Sequence, residues 1–226
     1  MELSELQQKI HTNYEGNVDY YAEADEDYLV RLGFIEDAID DWETGGGDEV
    51  IEWPELRRTT TISLSSTVES YELASTVLKV TGQPKVVRAD GSYFMLNYKP
   101  SWRYDQLVKL NIDANIYTTT GTIGAKYIKI RPIPTATEVS LVADIIARAT
   151  RPTASTDKVE MSKPMFIVHR VVARLHELDG ATDLMQYHDD EADKLLAQMK
   201  REAYISPEGN ATEFTIPGSR KRTFGI

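Results

Sequence analysis

The stretch Glu52-Trp53-Pro54-Glu55-Leu56-Arg57-Arg58-Thr59-Thr60-Thr61-Ile62-Ser63-Leu64-Ser65-Ser66 separates two kinds of sequence. Before it, apolar residues recur at helical spacing; after it, β-branched residues and turn signals dominate. Residues 59–66 read as a strand, and Pro54 marks the break, because proline fixes its own φ and has no N–H to offer a continuing helix.

Toward the N-terminus, Tyr28, Leu32, Ile35, Ile39 and Trp42 are spaced alternately by four and three, which lines one face of a helix over 24–44. Asp25, Glu26 and Asp27 fall in its first turn, where carboxylates favour the positive end of the helix dipole, and Gly45-Gly46-Gly47 stops it. Leu3, Leu6 and Ile10 predict a shorter helix over 2–12.

Toward the C-terminus, residues 71–81 suit a strand or a short helix. Residues 85–98 read as a hairpin turning at Asp90-Gly91, a favoured two-residue loop. Residues 122–134 give another strand, with Ile128 and Ile130 alternating against Tyr127 and Lys129, ended by Pro132 and Pro134. In 138–150, Val139, Leu141, Ala143, Ile145 and Ala147 suit a strand, while Val142, Ile146 and Ala149 also suit a helix; we read a strand. Residues 151–164 are loop-like in composition.

Two helices close the chain. Over 163–178, Val168, Val171, Val172, Leu175 and Leu178 share a face, with Pro164 in the first turn and Gly180 beyond the end. Over 183–202, Met185, Ala192, Leu195, Leu196 and Met199 do the same, with Thr182 as N-cap and Lys200 and Arg201 in the last turn. The short link between them predicts antiparallel packing. The expected class is α+β: N-terminal helices and a C-terminal antiparallel helix pair around a β-rich middle. Its parts are an acidic helical segment at 1–56, the β-rich region at 57–150, a helical hairpin at 151–205 packing with the N-terminal helices, and an extended basic tail at 206–226.

The chain of 226 residues is 41% hydrophobic, enough for one sizeable core or a core with a satellite. It has no cysteine, which excludes disulfides and thiolate metal sites and fits a reducing cytoplasm. Neither a signal-peptide pattern at the start nor an apolar run long enough for a membrane span is present, so Asn210-Ala211-Thr212 is an incidental sequon. The net charge of -11 is uneven: residues 1–56 hold 17 acids against Lys9 and Arg31, net -15, and the remainder holds 23 bases against 19 acids, net +4. Such a front repels phosphates, which disfavours a conventional DNA-binding domain; its simplest reading is a solvated face.

Catalytic patterns are missing. His169 and His176 lie seven apart on one helix face, but no His-x-x-x-His pair exists, and Glu177, Asp179, Asp183, His188, Asp189 and Asp190 have no recognised ligand spacing, so apolar or interfacial histidines are expected. Neither phosphate-binding glycine motif occurs, and no serine sits in G-x-S-x-G. The carboxylate pairs of the front segment lie on polar helix faces, where little burial raises their pKa for acid catalysis. Residues 98–104, Tyr-Lys-Pro-Ser-Trp-Arg-Tyr, interleave aromatics and bases; they suit strand-end aromatics over a core or at a subunit contact, with base stacking as the alternative. The expectation is no enzyme, no metal and no cofactor.

Three stretches together resemble the head-to-tail adaptor, or neck, proteins of tailed bacteriophages: Tyr28 to Trp42 continuing to Trp53-Pro54-Glu55-Leu56; Lys129-Ile130-Arg131-Pro132-Ile133-Pro134 leading through a strand to Arg151-Pro152; and the helix pair from Pro164 to Met199. Each is a pattern of residue classes, and together they span most of the chain. The resemblance implies a virion protein made in the host cytoplasm, a dodecameric ring of identical subunits bound beneath the portal protein and followed by a tail or further neck protein. Genomic DNA passes through it without sequence-specific binding, and no membrane is involved. It implies that the tail reaches the portal, with Arg220, Lys221, Arg222 and Phe224 as the contact. Asp25, Glu26, Asp27, Asp40 and Asp41 are candidate channel-facing acids, over which DNA slides without sticking. The glycine-rich 44–48 loop has no counterpart in the family. Two other readings stand beside this one: a tail-terminator or minor capsid protein, and a metal-dependent hydrolase or nuclease using the acidic clusters.

Overall fold

The structure, a computed structural model, describes residues 1–16, 26–47, 50–112, 114–122 and 125–204. Of Glu26 and Asp27 it describes only the backbone. Helices α1 (Leu3–Glu15) and α2 (Glu26–Thr44) come first. Among the described residues eight strands follow: β1 (Arg57–Ser63), β2 (Ser70–Glu72), β3 (Val77–Arg88), β4 (Tyr93–Met95), β5 (Asn97–Tyr98), β6 (Ile116–Thr122), β7 (Ala125–Arg131) and β8 (Glu138–Ala147). Helix α3 (Ser101–Lys109) lies between β5 and β6, and α4 (Met165–Leu178) and α5 (Thr182–Tyr204) close the described chain. The fold is α+β.

The helices enclose one core. Leu3, Leu6 and Ile10 of α1, Tyr28, Ile35, Ile39 and Trp42 of α2, Phe166, Val168, Val171 and Val172 of α4, and Ala192, Leu196 and Met199 of α5 are buried together. The alternation of three and four anticipated from Tyr28 to Trp42 is therefore the buried face of α2. The tail of α1 is tied to the helix pair, because the Tyr14 hydroxyl donates to the Asp179 carboxylate just beyond α4. At the opposite end, the Lys200 ammonium of α5 donates to the Gly45 carbonyl just beyond α2. These two ties fix which helix ends lie together.

The strands form two four-stranded sheets, in the orders β1-β8-β3-β4 and β2-β7-β6-β5. A second core draws Val77, Val86, Leu141 and Ile145 from the first sheet and Tyr71, Tyr117, Ile128 and Ile130 from the second, so the sheets pack face to face. Successive side chains of a strand point to opposite faces, and the first sheet uses both. Ile145 and Val77 enter the sandwich core, while their neighbours Ile146 and Leu78 enter the helical core. One sheet is thus a wall common to both cores.

Local chemistry explains the strand ends. The anticipated hairpin is present, with β3 and β4 antiparallel through Val87↔Tyr93 and Gly91 at φ +83 in the turn. Of residues 71–81, left open between strand and helix, 71–72 complete β2 and 77–81 begin β3, whose register with β8 shifts between Thr81 and Lys85. Pro84 falls in that shifted stretch, where a missing N–H interrupts no regular ladder. Residues 138–147 are strand β8 at the centre of its sheet, paired with β1 on one side and β3 on the other.

Helix α3 was not expected in the strand-rich middle. Strands β5 and β6 pair parallel, Asn97↔Ile116 and Tyr98↔Tyr117, and a parallel pair cannot be joined by a tight turn. Helix α3 is the crossover that joins them. Tyr104, Leu107 and Val108 turn inward on it, and the Tyr104 hydroxyl donates to Glu69 at 2.8 Å.

Candidate assembly surfaces

The basic tail with Arg220, Lys221, Arg222 and Phe224 lies outside the described residues, as does Asp25. Asp40 and Asp41 stand at the C-terminal end of α2, and both face arginines. The Arg151 guanidinium donates to Asp40 and, at 3.1 Å, to the buried Glu43, whose carboxylate also accepts the Ala149 N–H at 2.7 Å. Arg170 of α4 comes within 3.9 Å of Asp41 and forks onto Asp189 and Asp193 of α5 at 2.8 Å each. Phe34, Asp37, Ala38, Asp40, Asp41, Arg170 and Arg174 line a shallow cavity of about 220 Å³. Much of the acid at this place is met by the protein's own cations, so the face it shows to an outside partner is less negative than a residue count suggests.

The aromatic and basic stretch from Tyr98 to Tyr104 divides its side chains. Tyr104 is buried, so part of the stretch serves packing. Trp102, two residues before Tyr104 and so on the opposite face of α3, is 67% exposed, and Leu110 after the helix is also 67% exposed. Ile112 and Ile133 are exposed as well, and together with Asn111, Arg131 and Pro132 they line a cavity of about 340 Å³ beside α3. Large apolar side chains gathered around one short helix are the kind of surface that marks contact with another protein.

A second apolar region lies on the helical body, at the end where the α4–α5 link sits. Leu178 is 70% exposed and Leu184 is 50% exposed, with Tyr187 following on the next turn of α5. Leu29 and Val30, in the first turns of α2, are exposed too. The His11 and Arg31 side chains approach to 3.5 Å, which sets the start of α2 beside α1 at the level of Tyr14 and Asp179. The sandwich is entered from the other end of α2, through Trp53. The two apolar regions therefore belong to different parts of the molecule and have different compositions.

Between α4 and α5 the structure collects three histidines. Nδ1 of His169 lies 3.0 Å from Nδ1 of His188, and the His176 ring stacks on His188 with centroids 5.6 Å apart. Burial pushes both His169 and His188 below the ordinary histidine value, and for His188 the positive charge of its histidine neighbours adds to the effect. The sequence showed His169 and His176 on one face; His188 joins them only because the helices pack antiparallel. Tyr14 packs its ring on His176, and its hydrogen bond to Asp179 pushes the phenol up to about 12.

Among the described residues no three His, Cys, Asp or Glu side chains converge as metal ligands would, and no helix is long and apolar enough to cross a membrane. No family model matches the chain, and no curated protein matches it significantly.

Proposed function

We infer that this chain is a structural ring component of a virus particle, the head-to-tail adaptor of a tailed bacteriophage, and not an enzyme. A ring made of one kind of subunit uses heterologous contacts, so each copy must carry two unlike surfaces that meet each other. The observation that carries the reading is the pair of dissimilar apolar regions, one around Trp102 and Leu110 on the sandwich and the other around Leu178 and Leu184 on the helical body. A fold with a helical body and a β-sandwich sharing one wall supplies a rigid span between them. The sequence resemblance from Tyr28 to Met199 supports the same reading.

In this account the ring sits beneath the portal and continues the channel through which DNA leaves. The basic tail carries Arg220, Lys221, Arg222 and Phe224 to the portal, cations and an aromatic anchor together. The acids of the front segment keep the channel wall repulsive to DNA, with Asp40 and Asp41 contributing less because Arg151 and Arg170 face them.

Deletion of residues 206–226 tests the tail's role. Full-length protein should be retained by immobilised portal protein, and the truncated form should be lost from it while keeping the same helical circular dichroism. Equal retention of both would remove the tail from the account, and would favour a tail-terminator or minor capsid protein.

A further inference from the structure

Three of the chain's four histidines meet in one place, on the seam between α4 and α5, with the acidic run Asp189-Asp190-Glu191 following His188 directly. With their Nδ1 atoms 3.0 Å apart, His169 and His188 can make one N–H···N bond only if one ring donates and the other offers its lone pair. That requires at least one of them to be neutral. When both are protonated, two N–H groups point at each other across the same distance, and two positive charges share a half-buried site.

We propose that the His169–His188 pair is a pH-responsive latch on the α4–α5 hairpin, closed while the imidazoles are neutral and released at the N-terminal half of α5 when both carry a proton.

The groups that face the pair set its direction. His176 of α4 stacks on His188, and Tyr187 of α5 meets the same ring edge-on. Tyr14 of α1 stands behind His176, held by Asp179. Glu191 of α5 favours the charged forms of both His169 and His188, and it also accepts a hydrogen bond from Lys194 at 2.6 Å. Arg170, next to His169 on α4, is met by Asp189 and Asp193 of α5 and by Asp41 of α2, three carboxylates against one cation, so this group leaves negative charge beside the seam that works against release, and burial with histidine–histidine repulsion must outweigh it.

Both imidazoles are held below the ordinary value of about 6.5 in the folded chain, so the unfolded or opened segment binds more protons. Their contribution to hairpin stability is therefore complete above about pH 6.5 and is lost progressively as the pH falls below it. The release is local, because Ala192, Leu196 and Met199 anchor the C-terminal half of α5 in the helical core, while Thr182 to Tyr187 contribute no buried side chain.

Hydrogen exchange on the full chain, dialysed against a chelator and corrected for intrinsic rates, tests the latch. Protection of amides in 183–191 should fall severalfold between pH 7.5 and pH 5.5, as the depressed imidazoles take up protons on opening. Protection of 166–172 in α4 should stay constant, and His188→Gln should remove the pH dependence. Unchanged protection of 183–191, or the same fall in the variant, overturns the proposal. If His188→Gln fails to fold, proton NMR titration of the wild-type histidines decides instead: midpoints for His169 and His188 below about 6.5 support the latch, and midpoints at or above it refute it.

Discussion

The indole N–H of Trp53 donates to the carbonyl oxygen of Trp42 at 2.8 Å, and the two rings stack with centroids 5.5 Å apart. Both side chains are fully buried, and the contact joins the end of α2 to the segment that leads into the sandwich. Replacing Trp53 by Phe removes the hydrogen bond and part of the stacked area, and should cost about 1–2 kcal/mol. Trp53→Ala leaves a cavity and should cost about 3–5 kcal/mol. Urea unfolding measures both.

Among the described residues of the acidic segment Glu43 is the most deeply placed carboxylate, with a side chain 4% exposed, and Arg151 is its counter-charge. Arg151→Ala leaves that carboxylate buried with only the Ala149 N–H, and should destabilise by about 2–4 kcal/mol. Arg174→Ala, which breaks an exposed pair with Glu177 on a single helix, should change stability by less than about 0.5 kcal/mol. Thermal unfolding of the two variants side by side separates a buried ion pair from a surface one.

Gly45 has a φ of +62, and a Cβ there would come 2.1 Å from Cδ1 of Ile51. Gly45→Ala should cost about 1–2 kcal/mol, combining left-handed backbone strain with displacement of Ile51. Gly47→Ala, whose nearest neighbour to a Cβ is 3.9 Å away, should be near neutral. The comparison by chemical denaturation shows which glycine of the run is structurally required.

Glu138 opens β8 and accepts the Thr135 hydroxyl at 2.6 Å, the Thr135 N–H at 2.9 Å and Arg88 at 3.1 Å. These bonds, the threonine ones first, hold its carboxyl down from 4.5 to about 2. A depressed carboxyl stabilises the fold above its unfolded pKa and loses that contribution as pH falls through the folded one. Glu138→Gln should therefore be less stable than wild type by about 1 kcal/mol at pH 7, since a solvent-facing loop screens part of the shift. The difference should close between about pH 4.5 and about pH 2.

The helices were legible because their apolar residues keep a period over several turns, as Tyr28 to Trp42 and Val168 to Leu175 do. The hairpin at Asp90-Gly91 was legible from turn chemistry alone. Helix α3 was not, because nine residues rich in aromatics and bases carry little period, and what demands a helix there is the parallel pairing of Asn97 with Ile116, a tertiary fact. The inward positions Tyr104, Leu107 and Val108 were the available signal.

Of the candidate surfaces, charge could be counted but its neutralisation could not. Arg151 lies 111 residues from Asp40, and only the fold brings them together. His188 likewise meets His169 across 19 residues through the turn at Gly180. Sequence spacing shows what shares one helix; it does not show what a second helix brings to the same place.

Imaging the full chain by negative-stain electron microscopy, mixed with a candidate portal protein, tests the ring most directly. The account predicts closed rings seated on the portal, lost when Trp102 and Leu110 are both changed to Asp in a protein that still unfolds cooperatively. Folded protein that stays monomeric beside an intact portal would contradict it.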